Sequence, residues 1–232
     1  MPTMLLVRHG RSTANSSGIL AGWMPGVDLD EQGGQQAKAL AERLRDVPLA
    51  AAVSSPLDRC RQTIAPLLAG RPELTLRLDE RLGECRYGDW TGRPLAELAK
   101  EPLWSTVQQQ PSAATFPGPE GESLRDLSRR AVEAAREWDA QVEAEHGADA
   151  VWIACSHGDV IKAIAADALG LHLDGFQRIS VEPASVTAIR YTPVRPYLLR
   201  LGDTGEFAGL LPRRETSAPA DDAVIGGDTG QR

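Results

Sequence analysis

Lysine is nearly absent from this 232-residue chain: of its 25 basic side chains only Lys38, Lys100 and Lys162 are lysines, and the rest are arginines. Arginine presents a planar, permanently charged fork suited to bidentate grips on carboxylate and phosphate, so the placement of particular arginines carries the information. An excess of positive charge is missing as well. Against 32 acidic residues the formal net charge is −7. The chain as a whole therefore repels phosphate backbones and anionic membrane surfaces, which disfavours a general nucleic-acid-binding role. Cysteine is scarce: Cys60, Cys85 and Cys155 are an odd number without C-x-x-C spacing, indicating neither a disulfide framework nor a zinc ribbon and fitting a reducing compartment. No run approaches the roughly 18 consecutive apolar residues of a membrane span. Met4 to Val7 meets Arg8 too soon to form the apolar core of a signal peptide. These absences predict a cytoplasmic protein that does not engage membranes.

What is present is average for a globular chain, with 42% hydrophobic and 25% charged residues. Length and composition predict one domain over 1–204, with a Gly-, Pro-, Asp- and Thr-rich tail over 205–232 expected to be disordered. Met4 to Val7 is a short apolar run stopping at Arg8-His9-Gly10, the form of a buried strand. Gln32 to Arg45 carries Ala37, Leu40, Ala41 and Leu44 at helical spacing. Ala50 to Val53 reads as a second strand, followed through Ser54-Ser55-Pro56 by a helix from Leu57 to Leu68 with serine or proline at its start. Leu74 to Leu78 alternates as a third strand, and the Glu80 to Gly92 segment after it has the composition of a functional loop. Pro94 to Gln110 is loosely helical. Pro111 to Gly121 reads as an excursion over the surface. Glu122 to Glu145 is the longest helical pattern, its charges most simply a solvated face. A strand at Ala150 to Ala154, a helix at Val160 to Leu169, and a hairpin from Val186 to Tyr191 and Tyr197 to Leu201 complete the pattern. The sum is an α/β fold of three layers, a mostly parallel central sheet flanked by helices.

Ligands of open α/β sheets bind where parallel strands end. The first strand ends in Arg8-His9-Gly10, the second leads through Ser54-Ser55-Pro56 to Arg59, and the Ala150 to Ala154 strand leads to Ser156-His157-Gly158. Two histidines and two arginines then share one mouth, an arrangement that an anionic phosphoryl group would neutralise. A nucleophilic His9 would need an acceptor behind one ring nitrogen to free the lone pair of the other.

Leu5-Leu6-Val7-Arg8-His9-Gly10-Arg11-Ser12-Thr13-Ala14-Asn15 resembles the R-H-G signature of the histidine phosphatase superfamily, the phosphoglycerate mutase-like fold. In the expected order, Ser54 to Thr63 resembles its second-arginine motif, Glu84-Cys85-Arg86-Tyr87-Gly88-Asp89-Trp90-Thr91-Gly92 its acidic segment, and Ser156-His157-Gly158 its second-histidine motif. The resemblance covers roughly residues 4 to 202. It implies that His9 is the phosphorylated nucleophile, that Arg8, Arg59 and His157 hold the phosphoryl oxygens, and that Glu84 is the general acid. Asp79, Glu80 and Asp89 stand nearby as competing acids. Ser12 and Asn15 match positions that line the pocket. The implied double displacement needs no metal and no cofactor.

Arg11 stands where the mutase branch usually has Glu, and no substrate-covering insertion is apparent between Gly92 and Glu122. Pro119-Glu120-Gly121-Glu122-Ser123 looks more like the broad phosphatase branch. The leading expectation is hydrolysis of a small-molecule phosphomonoester. A phosphoglycerate-type mutase and a phospholigand-binding protein without turnover are the alternatives. Trp23, Met24 and Phe116 suit an apolar lid over the substrate. Arg11 would add charge at the pocket rim, while Tyr87 and Trp90 pack to position the acidic loop. A homodimer or tetramer would be unsurprising for an enzyme of this size.

Overall fold

The computed structural model describes residues 1–205, so the tail expected to be disordered lies, beyond Gly205, outside the described residues. In chain order the elements are β1 (Thr3–Arg8), α1 (Thr13–Ser16), α2 (Glu31–Arg43), β2 (Leu49–Ser54), α3 (Asp58–Ala69), β3 (Leu76–Leu78), α4 (Leu95–Leu98), α5 (Pro102–Gln109), α6 (Leu124–His146), β4 (Val151–Ser156), α7 (Gly158–Ala168), β5 (Val186–Arg190) and β6 (Tyr197–Asp203).

The strands lie in the order β3-β2-β4-β1-β5-β6. β2 is parallel to β3 and β4, and β1 is parallel to β4. β5 and β6 complete the sheet antiparallel. Register decides where the site can form. Arg8 is paired with Ser156, and Ser54 with Cys155. Three parallel strands therefore deliver their following loops at one level.

Side chains alternate across this sheet. Leu5, Val7, Ala52, Ile153 and Cys155 point to one face and pack with Leu40 of α2 and with Ile64 and Leu67 of α3. Met4, Leu6, Ala51, Val53, Trp152 and Ala154 point to the other, against Leu127 and Ala131 of α6 and Val160 and Ile164 of α7. Each fully buried aliphatic side chain contributes roughly 1.5–3 kcal/mol relative to exposure. α7 is buried along nearly its whole length. The indole of Trp152 donates to Asp139 Oδ1 at 3.0 Å.

Three expectations are corrected. The third strand is shorter than Leu74 to Leu78, pairing with β2 only over Leu76–Leu78. α3 has Leu57 at its N-cap with no side-chain cap, and Ser55, two residues earlier, accepts from Leu57 N at 3.3 Å. Pro111 to Gly121 runs over the surface only in part: Ala113, Thr115 and Gly118 to Glu120 are exposed, but Pro111, Ala114 and Phe116 are buried, and Phe116 packs against Tyr87 and Trp90 with ring centroids 4.9 and 5.5 Å away. Phe116 is thus core and no part of a lid.

Candidate active site

β1 ends by handing its backbone to three neighbours. His9 N donates to Ser156 O at 2.9 Å, which continues the pairing with β4 one residue past the strand. Gly10 N donates to Thr63 Oγ1 at 2.9 Å, tying the turn to α3. A Cβ on Gly10 would lie 2.8 Å from the carbonyl oxygen of Gly33. Only glycine lets β1 leave the sheet against the first turn of α2.

His9 and His157 meet edge to face, with ring centroids 5.2 Å apart, and both are buried. Behind His9 stands the Gly10 carbonyl, 2.7 Å from Nδ1. A carbonyl only accepts, so Nδ1 carries the proton and Nε2 keeps its lone pair. Arg59 bridges the two rings: its Nε donates to His9 Nε2 at 3.3 Å, and its Nη2 lies 3.2 Å from His157 Nδ1 and 2.9 Å from Gly22 O. Because a guanidinium only donates, His157 Nδ1 accepts and its Nε2 carries the proton, which reaches Ser55 Oγ at 2.8 Å. Cys60 Sγ lies 3.4 Å from that nitrogen. Arg8 is fully buried, and its Nη1 donates to Val181 O at 2.7 Å.

Burial, then the charges of Arg59 and Arg8, hold His9 well below the ordinary imidazole range. Burial and Arg59, followed by His9, do the same to His157. Both rings are neutral at neutral pH.

Glu84 is 3% exposed. Burial and the nearby carboxylate of Asp159 push it up to about 8, while Arg59 and Arg8 act in the opposite sense. Its Oε1 accepts from Cys85 N at 2.9 Å. Asp159, in the first turn of α7, accepts from Tyr87 Oη at 2.8 Å. Among the competing acids, Asp79 is taken by Arg81 and by the Trp138 indole at 2.8 Å, and Glu80 and Asp89 are exposed. Glu84 is the buried one. Tyr87 and Trp90 are buried beneath the loop, as their packing reading expects.

Ser12 and Asn15 cap α1, with Ser12 Oγ donating to Asn15 Oδ1 at 2.8 Å. Arg11 is not a loose charge on the pocket rim. It is held by Asp30 at 2.6 Å, the residue that caps α2. Trp23 is half-buried, and its indole donates to Glu84 O at 2.6 Å. Sequence reasoning missed Ser55, Asp159, the Gly10 and Gly22 carbonyls, and Arg130, whose guanidinium donates to Glu84 O at 3.0 Å. The backbone acceptors left no trace in residue type.

This geometry places an unprotonated imidazole nitrogen, two guanidinium groups, a second neutral imidazole and a carboxyl held protonated in one buried cluster. Arg59 hydrogen-bonds only to neutral acceptors among the described residues, so its charge is available to an anion.

Relatives agree in kind. The chain is 30% identical over 184 residues to a 2,3-bisphosphoglycerate-dependent phosphoglycerate mutase 2 of Gloeobacter violaceus, covering 78% of this chain and 82% of that protein. It is 34% identical over 161 residues to a probable phosphatase, C1687.21, of Schizosaccharomyces pombe, covering 69% and 70%. Among solved structures, YhfR of Bacillus stearothermophilus superimposes with a TM-score of 0.78 at 29% identity, over 88% of this chain and 98% of that one. The model of the histidine phosphatase superfamily (branch 1) matches residues 4–204, and the chain belongs to that family.

Proposed function

We propose that the chain is a phosphomonoester phosphatase that works through a phosphohistidine on His9. The observation that carries this reading is the Gly10 carbonyl at 2.7 Å from His9 Nδ1, which leaves Nε2 unprotonated, its lone pair met only by the Arg59 Nε–H at 3.3 Å among the described residues. Its lone pair attacks phosphorus in line, and the ester P–O bond breaks with its electron pair going to the leaving oxygen. Glu84, held protonated by burial and Asp159, gives that oxygen its proton. Water then attacks the phosphohistidine, its proton passes to Glu84, and the P–N bond breaks with its pair returning to Nε2. Arg8 and Arg59 bind the phosphoryl oxygens and stabilise the charge on them during both transfers, and His157 joins them when the Nε2 proton it gives to Ser55 is turned to the phosphoryl group. Ser12 and Asn15 line the approach. The reading calls on no metal and no cofactor.

Hydrolysis is preferred to mutase transfer because the stretch between Gly92 and Glu122 is spent on the core. Leu98, Trp104, Val107, Ala114 and Phe116 are all buried in it. That leaves little chain to cover a substrate and keep the phosphohistidine dry. A mycobacterial glucosyl-3-phosphoglycerate phosphatase, 27% identical with a TM-score of 0.73, offers one kind of small phosphorylated metabolite as a substrate class.

The test is acid quenching during turnover of a labelled phosphomonoester. Wild type should yield an acid-labile protein adduct, and His9→Ala should lose both adduct and turnover. Turnover near the wild-type level in that variant would refute the reading. Phosphoglycerate interconversion that needs a bisphosphate primer, without unprimed hydrolysis, would favour the mutase.

A further inference from the structure

Arg130, in the second turn of α6, spends its guanidinium on the segment that carries Glu84. Nη1 donates to the carbonyls of Arg81 at 2.7 Å and Gly83 at 2.9 Å, and Nη2 to that of Glu84 at 3.0 Å. The group is held in that pose by Glu122, which accepts from Nε at 3.0 Å and from Nη2 at 2.6 Å. Glu122 reaches the far side of Glu84 as well. Its Oε1 accepts from Arg86 N at 2.8 Å, and its own amide donates to Arg86 O at 2.9 Å. One bidentate ion pair thus grips the backbone on both sides of Glu84.

This pair differs from the others on α6. The side chains of Arg130 and Glu122 are only 18% and 13% exposed, whereas Arg129, paired with Asp126 and Glu133, is 66% exposed. A solvated pair of that second kind contributes little. The Glu84 carboxyl in turn accepts from Cys85 N at 2.9 Å, so it hangs on the very peptide that the pair holds. A shift of that backbone moves the carboxyl with it, and misplacement on the scale of 1 Å is enough to lose proton transfer.

We infer that Arg130 and Glu122 are positioning residues for the proton transfer made by Glu84. The inference rests on the reading of Glu84 as general acid, and leaving-group dependence separates the two. An alkoxide needs a proton as it departs, whereas p-nitrophenolate leaves without one. Arg130→Lys keeps the charge and loses the fork. Glu122→Gln keeps the shape and loses the anion that orients the fork.

Turnover of glycerol 2-phosphate and of p-nitrophenyl phosphate is measured for wild type, Glu84→Gln, Arg130→Lys and Glu122→Gln, with kcat and KM resolved. Glu84→Gln should lose about a hundredfold or more in kcat/KM, which reports the phosphorylation step, on the alkyl ester and far less on the aryl ester. Arg130→Lys and Glu122→Gln should show the same bias, losing about tenfold in kcat/KM on the alkyl ester and far less on the aryl ester. If Glu84→Gln shows the bias while the other two variants lower both substrates equally, the pair is merely structural and the inference fails, leaving the acid standing. If Glu84→Gln shows no bias in kcat/KM, the acid reading fails and the inference falls with it. Should Arg130→Lys not fold, Glu122→Gln decides alone.

Discussion

Arg59 stands between His9 and His157, its Nε 3.3 Å from one ring and its Nη2 3.2 Å from the other, so a single cation adds to burial in holding both imidazoles neutral. Removing it should let both rings titrate closer to the ordinary imidazole range, because its charge lowers each of them. In Arg59→Ala, NMR of nitrogen-15-labelled imidazoles should find both values raised. Turnover should fall by about 10²–10³, the size of effect seen when one preorganised donor is lost.

In the wild type the same spectra should show His9 with its proton on Nδ1, since the Gly10 carbonyl there can only accept. A proton found on Nε2 would leave no lone pair for attack and would contradict the proposed chemistry.

Glu84 makes a prediction in pH. Its carboxyl is pushed up to about 8 by burial and Asp159, so it is protonated near neutrality. Activity that depends on this acid should be lost as pH rises through about 8. Stability follows the same proton. Between pH 6.5 and 8 the folded chain holds it while the unfolded chain, with an ordinary value of about 4.3, has released it. Folding therefore binds a proton in this window, and stability should fall with rising pH by up to about 1.4 kcal/mol per unit. Glu84→Gln should flatten that slope and raise the denaturation midpoint at pH 7.5. Below pH 6.5 the depressed values of His9 and His157 act the other way, since unfolding lets both take up protons.

Gly33 faces the turn from the α2 side. A Cβ there would lie 2.0 Å from Arg11 O. Gly33→Ala should therefore force the two backbones apart, at a cost of about 1–3 kcal/mol in urea denaturation. The displaced turn carries His9, so kcat should drop more than KM rises.

Thr63→Val tests the other tie on this turn. It would leave the buried Gly10 N–H without the Thr63 hydroxyl that now accepts it at 2.9 Å. The expected loss is about 1–3 kcal/mol in the same urea measurement.

The strands and helices that carry strong periodicity were legible from residue type. β1, β2, β4, α2, α3 and α7 fall within a few residues of where apolar spacing puts them. The four site motifs were legible for a related reason, since Arg8, His9, Arg59, Glu84 and His157 are chemically distinctive side chains at the ends of such elements. What escaped is what backbone atoms do. The Gly10 carbonyl that selects the His9 tautomer and the carbonyls of Arg81, Gly83 and Glu84 that receive Arg130 are identical in every residue. Arg130 itself looked like one more charge on a solvated helix, because its partners lie about fifty positions away in the chain. Phe116 was misplaced because its prolines and glycines read as surface, whereas Tyr87 and Trp90 draw it inward.

β1 is paired along both edges, to β4 on one side and β5 on the other. An edge strand frays one bond at a time, but Leu5 to Val7 cannot exchange their amides with solvent until a neighbour on one flank has separated. The residue proposed to be phosphorylated is therefore anchored to the part of the sheet that opens last. β3 and β6 lie at the rims, and they can breathe or vary in length without disturbing the footing of His9.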